Sequence, residues 1–252
     1  MTKPWILGLA SALLVLSNVG ARASVLLDWS TATQGTLQKQ GGVYTTGTDF
    51  SGVDITVAGS NGATPTHWLG LQTPAVTTTI FSGGQTRPDL STVALFKPTG
   101  LGSVTFTIDF FGYKQGVKDV SFDLFDVDMN RHGSVNVEEV VSFQTAGLTL
   151  TGSADNVVSG NTVTGIKTSS NTGAGSADAN VSVKSGSMPL HQIVFTFSTL
   201  ATNIAANEGI GIGNISFTPV PEVGQLAIGL AACLIGAVWL WRNRRERSPS
   251  IA

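Results

Sequence analysis

The chain has 252 residues, 42% of them hydrophobic and only 12% charged, with a formal charge of −2. Between two hydrophobic ends lies a body of about 195 residues, long enough for one good core. The body holds eight of the 14 basic and 14 of the 16 acidic residues, a balance near −6 that makes it a poor electrostatic partner for nucleic acid and excludes that class. The one cysteine, Cys233, falls in the C-terminal hydrophobic end. That excludes from the body a disulfide scaffold, a thiolate-bound metal and a thiol nucleophile.

Residues 1–23 read as a secretory signal peptide. Lys3 gives the positive start, Ile6–Leu16 the apolar stretch, and Ala21-Arg22-Ala23 an A-x-A cleavage site before Ser24. The apolar run is too short to cross a bilayer as a helix. The body, 24–218, is therefore expected to be exported across the inner membrane.

Within the body no long segment repeats apolar residues at helical spacing. Short runs appear instead, separated by Gly, Asn, Asp or Pro: Val25–Trp29, Val53–Val57, Ala75–Phe81, Val93–Phe96, Val104–Phe110, Val117–Phe125, Val135–Phe143, Thr162–Ile166, Val181–Val183, Ile193–Phe197 and Ile210–Phe217. Val104, Phe106, Ile108 and Phe110 alternate with Thr105, Thr107 and Asp109, and Ile193, Phe195 and Phe197 repeat the pattern. Such alternation buries one face and wets the other, the antiparallel habit. The expectation is an all-β, antiparallel β-sandwich of jelly-roll type, soluble and monomeric without its hydrophobic ends. Gly147–Gly186, rich in Ser, Thr, Asn and Gly, reads as long hairpins or loose loops within that domain.

The densest polar cluster follows Val117–Phe125. Alternation breaks at Phe125-Asp126, and Asp126, Asp128 and Asn130 place three oxygen ligands at i, i+2 and i+4, the opening of many Ca²⁺ sites. It is not an EF-hand, because Arg131 stands where that loop needs Gly and Val137 where it needs Glu. The competing reading is an Asx-rich turn between two strands. The run Phe122-Asp123-Leu124-Phe125-Asp126-Val127-Asp128 resembles a strand-loop of surface β-sandwich modules in bacterial adhesin-like proteins. Ile210–Phe217 reads as a final strand and resembles the closing strand of exported jelly-roll modules, including carbohydrate-binding ones. Gly209, Gly211 and Gly213 would let another segment pack close to it.

No catalytic residues emerge. His67, His132 and His191 stand in unrelated segments, and the nucleophile-elbow, zinc-protease and phosphate-loop motifs are missing. Of the acidic pairs, Glu138 and Glu139 would face opposite ways on a strand, and Asp123 and Asp126 lack a partner group. Trp68, in Thr64-Pro65-Thr66-His67-Trp68-Leu69-Gly70, could stack on a sugar or sit half-buried in the core.

The C-terminal end carries Val220-Pro221-Glu222, then the apolar span Val223–Trp241, then Arg242, Arg244, Arg245 and Arg247. The span holds 19 residues without a charge, about the length of a membrane helix, with arginines placed to stay cytoplasmic. Pro-Glu motif, single span and basic cluster in that order resemble the PEP-CTERM sorting signal of exported Gram-negative proteins. The resemblance covers 219–252 and implies an exosortase-type processing enzyme as partner, with Val220, Pro221 and Glu222 as the sorting motif. Val223 occupies the position where that family has a second proline, so processing and permanent anchoring both stay open. Together these features imply a non-catalytic exported envelope or extracellular-matrix protein, in contact with the membrane and with polysaccharide. The alternatives are a Ca²⁺-dependent glycan-binding or adhesin-like module and a glycan-processing enzyme.

Overall fold

The computed structural model describes residues 23–47, 52–78, 80–81, 83–84, 86–98, 102–167, 178–200, 205–222, 234–239 and 242. Ser24–Thr218 forms one compact unit, and the two terminal segments, Met1–Ala23 and Pro219–Ala252, group separately. Residues 1–22, and with them nearly all of the expected signal peptide, lie outside the described residues, as do Cys233, Arg244, Arg245 and Arg247. Of the expected span Val223–Trp241 the described part, 234–239, is helical. Among the described residues no helix is long and apolar enough to cross a membrane.

The body is all-β and antiparallel. One sheet runs in the order Val25–Leu27, Ile215–Pro219, Val117–Phe125, Ala206–Ile212, Asp89–Phe96, Ala75–Thr77, Gly35–Thr36. Val181–Ser185 joins it on Val117–Phe125 and is extended by Leu148–Gly152. The other runs Asn156–Ser159, Thr162–Gly165, Val135–Phe143, Gln192–Thr199, Ser103–Asp109, Asp54–Ser60, Val43–Thr45, Gln38–Gln40. Met129–His132 pairs with Val135–Phe143 as a hairpin.

Alternation explains how the sheets pack. Phe106 and Phe195 are direct cross-strand partners in the second sheet, their rings stacked at 4.7 Å. Aromatic pairs between sheets then close the core: Phe122 lies 6.5 Å from Phe195, Phe96 5.5 Å from Phe197, and Phe110 5.1 Å from Phe217. Each of these rings is at most 3% exposed. Full burial of one such side chain contributes about 1.5–3 kcal/mol, so this layer is the main source of the fold's stability.

Several expected elements differ in outline: Val25–Trp29 is a strand only to Leu27, with Trp29–Thr31 a 3-10 turn, and Val93–Phe96 is the end of the longer strand Asp89–Phe96. Ile210–Phe217 is not one strand but two, Ala206–Ile212 and Ile215–Pro219. Trp29 causes the break: its ring Nε1 donates to the Gly213 carbonyl at 2.8 Å, and its backbone N–H donates to Asn214 Oδ1 at 3.0 Å. The Gly213 carbonyl thus serves the buried indole, and the Asn214 side chain the Trp29 backbone. Ala75–Phe81 is a strand only to Thr77; Phe81 lies instead over the glycines of Ala206–Ile212. The Gly147–Gly186 region resolves into three short hairpin strands followed by Val181–Ser185, with 168–177 outside the described residues.

Candidate functional site

The acidic loop is the point where the chain leaves one sheet for the other. Val117–Phe125 belongs to the first sheet and Val135–Phe143 to the second. Asp126 turns the chain between them with φ +66°, a left-handed conformation that Asp tolerates better than most residues. The break expected at Phe125-Asp126 is therefore present.

Period-2 geometry then decides which acids meet. The Asp128 carbonyl accepts the Glu139 N–H at 2.9 Å, and Glu139 Oε2 accepts the Asp128 N–H at 3.0 Å. Glu139 thus lies beside Asp128 on the inner face of its strand, buried like Val137 and Val141, while Glu138 is only partly buried. Across the sandwich, Glu208 shares the inward parity of Ile210 and Ile212 on Ala206–Ile212 and is 2% exposed. Asn130 Nδ2 donates to Glu208 Oε2 at 2.6 Å, and His132 Nε2 lies 2.8 Å from Glu208 Oε1.

Four carboxyl groups, from Asp126, Asp128, Glu139 and Glu208, therefore meet in the interior. Burial pushes Asp126 up to about 9, and the charges of Asp128 and Glu208 push the same way. Burial also raises Glu139 well above the usual carboxylate range, again with its acidic neighbours adding. Glu208 is raised by burial too, but the hydrogen bonds from Asn130 and His132 oppose the shift. Among the described residues no hydrogen-bond donor reaches Glu139 Oε1 or Asp126 Oδ1, although both are buried. Buried carboxylates in this number cannot all stay ionised without a proton or a cation between them.

The three expected Ca²⁺ ligands are thus divided. Asp126 and Asp128 do come together, whereas the Asn130 amide is turned to Glu208. Glu139 and Glu208 were not read from the sequence as part of the group. The signal was present in strand parity: Glu139 falls in step with Val137, Val141 and Phe143, and Glu208 with Ile210 and Ile212. An acid in phase with a buried apolar row is out of place unless it meets a partner.

Of the histidines only His132 enters this group; His67 and His191 are exposed elsewhere. Trp68 is not a core residue. It sits on a separate two-stranded hairpin, His67–Trp68 with Leu71–Gln72, 38% exposed beside Leu69 at the tip. Asp123 points away from the acidic group, on the partly exposed face of Val117–Phe125.

No family model matches the chain, and no curated protein matches it. Among solved structures, it is similar to the Family 11 carbohydrate-binding module of the cellulosomal cellulase Lic26A-Cel5E of Clostridium thermocellum. The identity is 15%, the match covers 77% of this chain and 98% of that one, and the TM-score is 0.29. A likeness this low carries no argument about a ligand.

Proposed function

We propose that the chain is an exported, non-catalytic protein with a jelly-roll-like body, delivered to the cell envelope or extracellular matrix by a secretory signal and a PEP-CTERM-like tail. The observation that carries this reading is the pairing of the body's first and last strands. Val25 is in register with Phe217 and Leu27 with Ile215, and Ser24 Oγ donates to the Phe217 carbonyl at 3.4 Å. The expected cleavage point before Ser24 and the motif Val220-Pro221-Glu222 thus lie just outside the last paired residues at both ends. Either terminal segment can be cut away without breaking a core strand. An exosortase-type enzyme is the partner this tail would meet, and the membrane helix of 223–241 would hold the chain until cleavage.

Mass spectrometry of the protein from its native host tests the reading. It expects a mature N-terminus at Ser24 and a C-terminus near Glu222. Retention of both hydrophobic segments in a host with an active exosortase would refute it.

A second reading, a glycan-binding module, is favoured by the exposed Trp68 on its short hairpin, since an indole face stacks on the apolar face of a sugar. Binding on a glycan array that disappears in Trp68→Ala with the fold intact would support it.

A further inference from the structure

We infer that Asp126, Asp128, Glu139 and Glu208 form an interior site for one divalent, oxygen-seeking cation, Ca²⁺, that ties the two sheets together. This goes beyond the reading of the chain as an exported protein and holds whether or not the tail is processed. Three observations carry it. The acids come from three separate pieces of chain: the crossover loop with Asp126 and Asp128, Val135–Phe143 in one sheet and Ala206–Ile212 in the other. Glu139 is wholly buried beside the carboxyls of Asp126, Asp128 and Glu208, and among the described residues its Oε1 has no hydrogen-bond donor. Asn130 and His132 fix both oxygens of Glu208 from the solvent side, as neighbours that orient a ligating carboxylate do.

The donor set selects the ion. Carboxylate oxygens suit Ca²⁺, which accepts six to eight oxygen ligands in flexible arrangements, and not Zn²⁺, which prefers nitrogen and sulfur. Among the described residues no three His, Cys, Asp or Glu side chains already surround a common ion position. Binding therefore includes a side-chain rearrangement that draws the carboxylates inward. The competing neutraliser is the proton: Glu139 and Glu208 can hydrogen-bond to each other only when one of them holds one.

The test uses the full-length protein in detergent, stripped with EDTA and titrated with Ca²⁺ alone. An ion that binds only the folded state raises the melting temperature in proportion to the logarithm of its concentration. The expected rise is about 5–10 °C at 100 times the dissociation constant. Elemental analysis of the protein purified without chelator should find one Ca²⁺ per chain. Glu139→Gln keeps the shape of the side chain, so it should fold, lose the bound metal and melt at a temperature independent of Ca²⁺. Should that variant fail to fold, Asp126→Asn, nearer the surface, should weaken Ca²⁺ binding at least tenfold. Wild-type protein that carries no metal and melts at the same temperature in EDTA and in millimolar Ca²⁺ would overturn the site and leave protons as the neutraliser. Ca²⁺-dependent melting that survives intact in both variants would place the ion elsewhere and overturn it equally.

Discussion

Single residues in this protein matter most where the outer face of the first sheet is sealed. Gly211 has no room for a side chain: an added Cβ would lie 2.8 Å from the Phe81 carbonyl oxygen and 3.1 Å from Phe125 Cδ2. The nearest of these is backbone, which cannot swing aside. Gly211→Ala should therefore cost about 1–3 kcal/mol, read as a lower urea midpoint with unchanged m. Asp89 is the other sensitive residue on this face. It accepts a short hydrogen bond from Ser91, whose Oγ also receives the Phe81 N–H at 3.2 Å. Burial raises its carboxyl to about 8, so the folded state holds a proton that the unfolded chain releases near pH 4. The contribution of Asp89 is fully present below about pH 4 and is lost as pH climbs to about 8. Asp89→Asn should flatten that part of the pH–stability curve measured by urea unfolding. Parallel curves for wild type and variant would contradict the assignment.

Among the elements, Gln192–Thr199 is the one on which the core converges. Phe195 on this strand stacks on Phe106, lies 5.1 Å from Phe143 and reaches Phe122 of the opposite sheet. Truncating a fully buried Phe costs about 3–5 kcal/mol through lost transfer energy and the cavity left behind. Domains of this kind are stable by only 5–15 kcal/mol. Phe195→Ala should thus leave the body marginal, seen as early loss of near-ultraviolet circular dichroism on heating. The seam at Trp29 is a smaller but sharper case. Trp29→Phe would fill most of the same space yet leave the Gly213 carbonyl without its indole donor, at about 1–3 kcal/mol. A full-sized loss from so conservative a change would identify the hydrogen bond, and not the ring volume, as what holds the last two strands in place.

For the whole molecule, the compactness of Ser24–Thr218 and the pairing of its first and last strands give one expectation. The body made without either hydrophobic segment should fold alone, with a far-ultraviolet spectrum dominated by strand; a helical spectrum would contradict the fold. The tail gives another. Pro221 keeps Val220 extended, the form in which a cleft enzyme reads a peptide. Glu222→Ala should leave a larger, membrane-retained species where the wild type is processed, visible as a slower band on a gel of the membrane fraction. A wild-type and variant of equal size would leave 223–241 a simple anchor.

The sequence by itself determined the class of fold and the inward face of its main strands. Val117–Phe125 and Val135–Phe143 match the observed strands to the residue, because period-2 burial of one face is written locally in alternating side chains. It did not show the two-residue pieces Gly35–Thr36 and His67–Trp68, which are too short to carry a period. Nor did it show that Ile210–Phe217 breaks at Gly213-Asn214, because the cause is Trp29, more than 180 residues away. The acidic site divides in the same manner. Asp126 and Asp128 lie two residues apart and could be read as a loop, while Glu139 and Glu208 come from different strands. Only the packing of one sheet on the other brings them together, since a carboxylate's neighbours across a sandwich are set by strand pairing and not by distance along the chain.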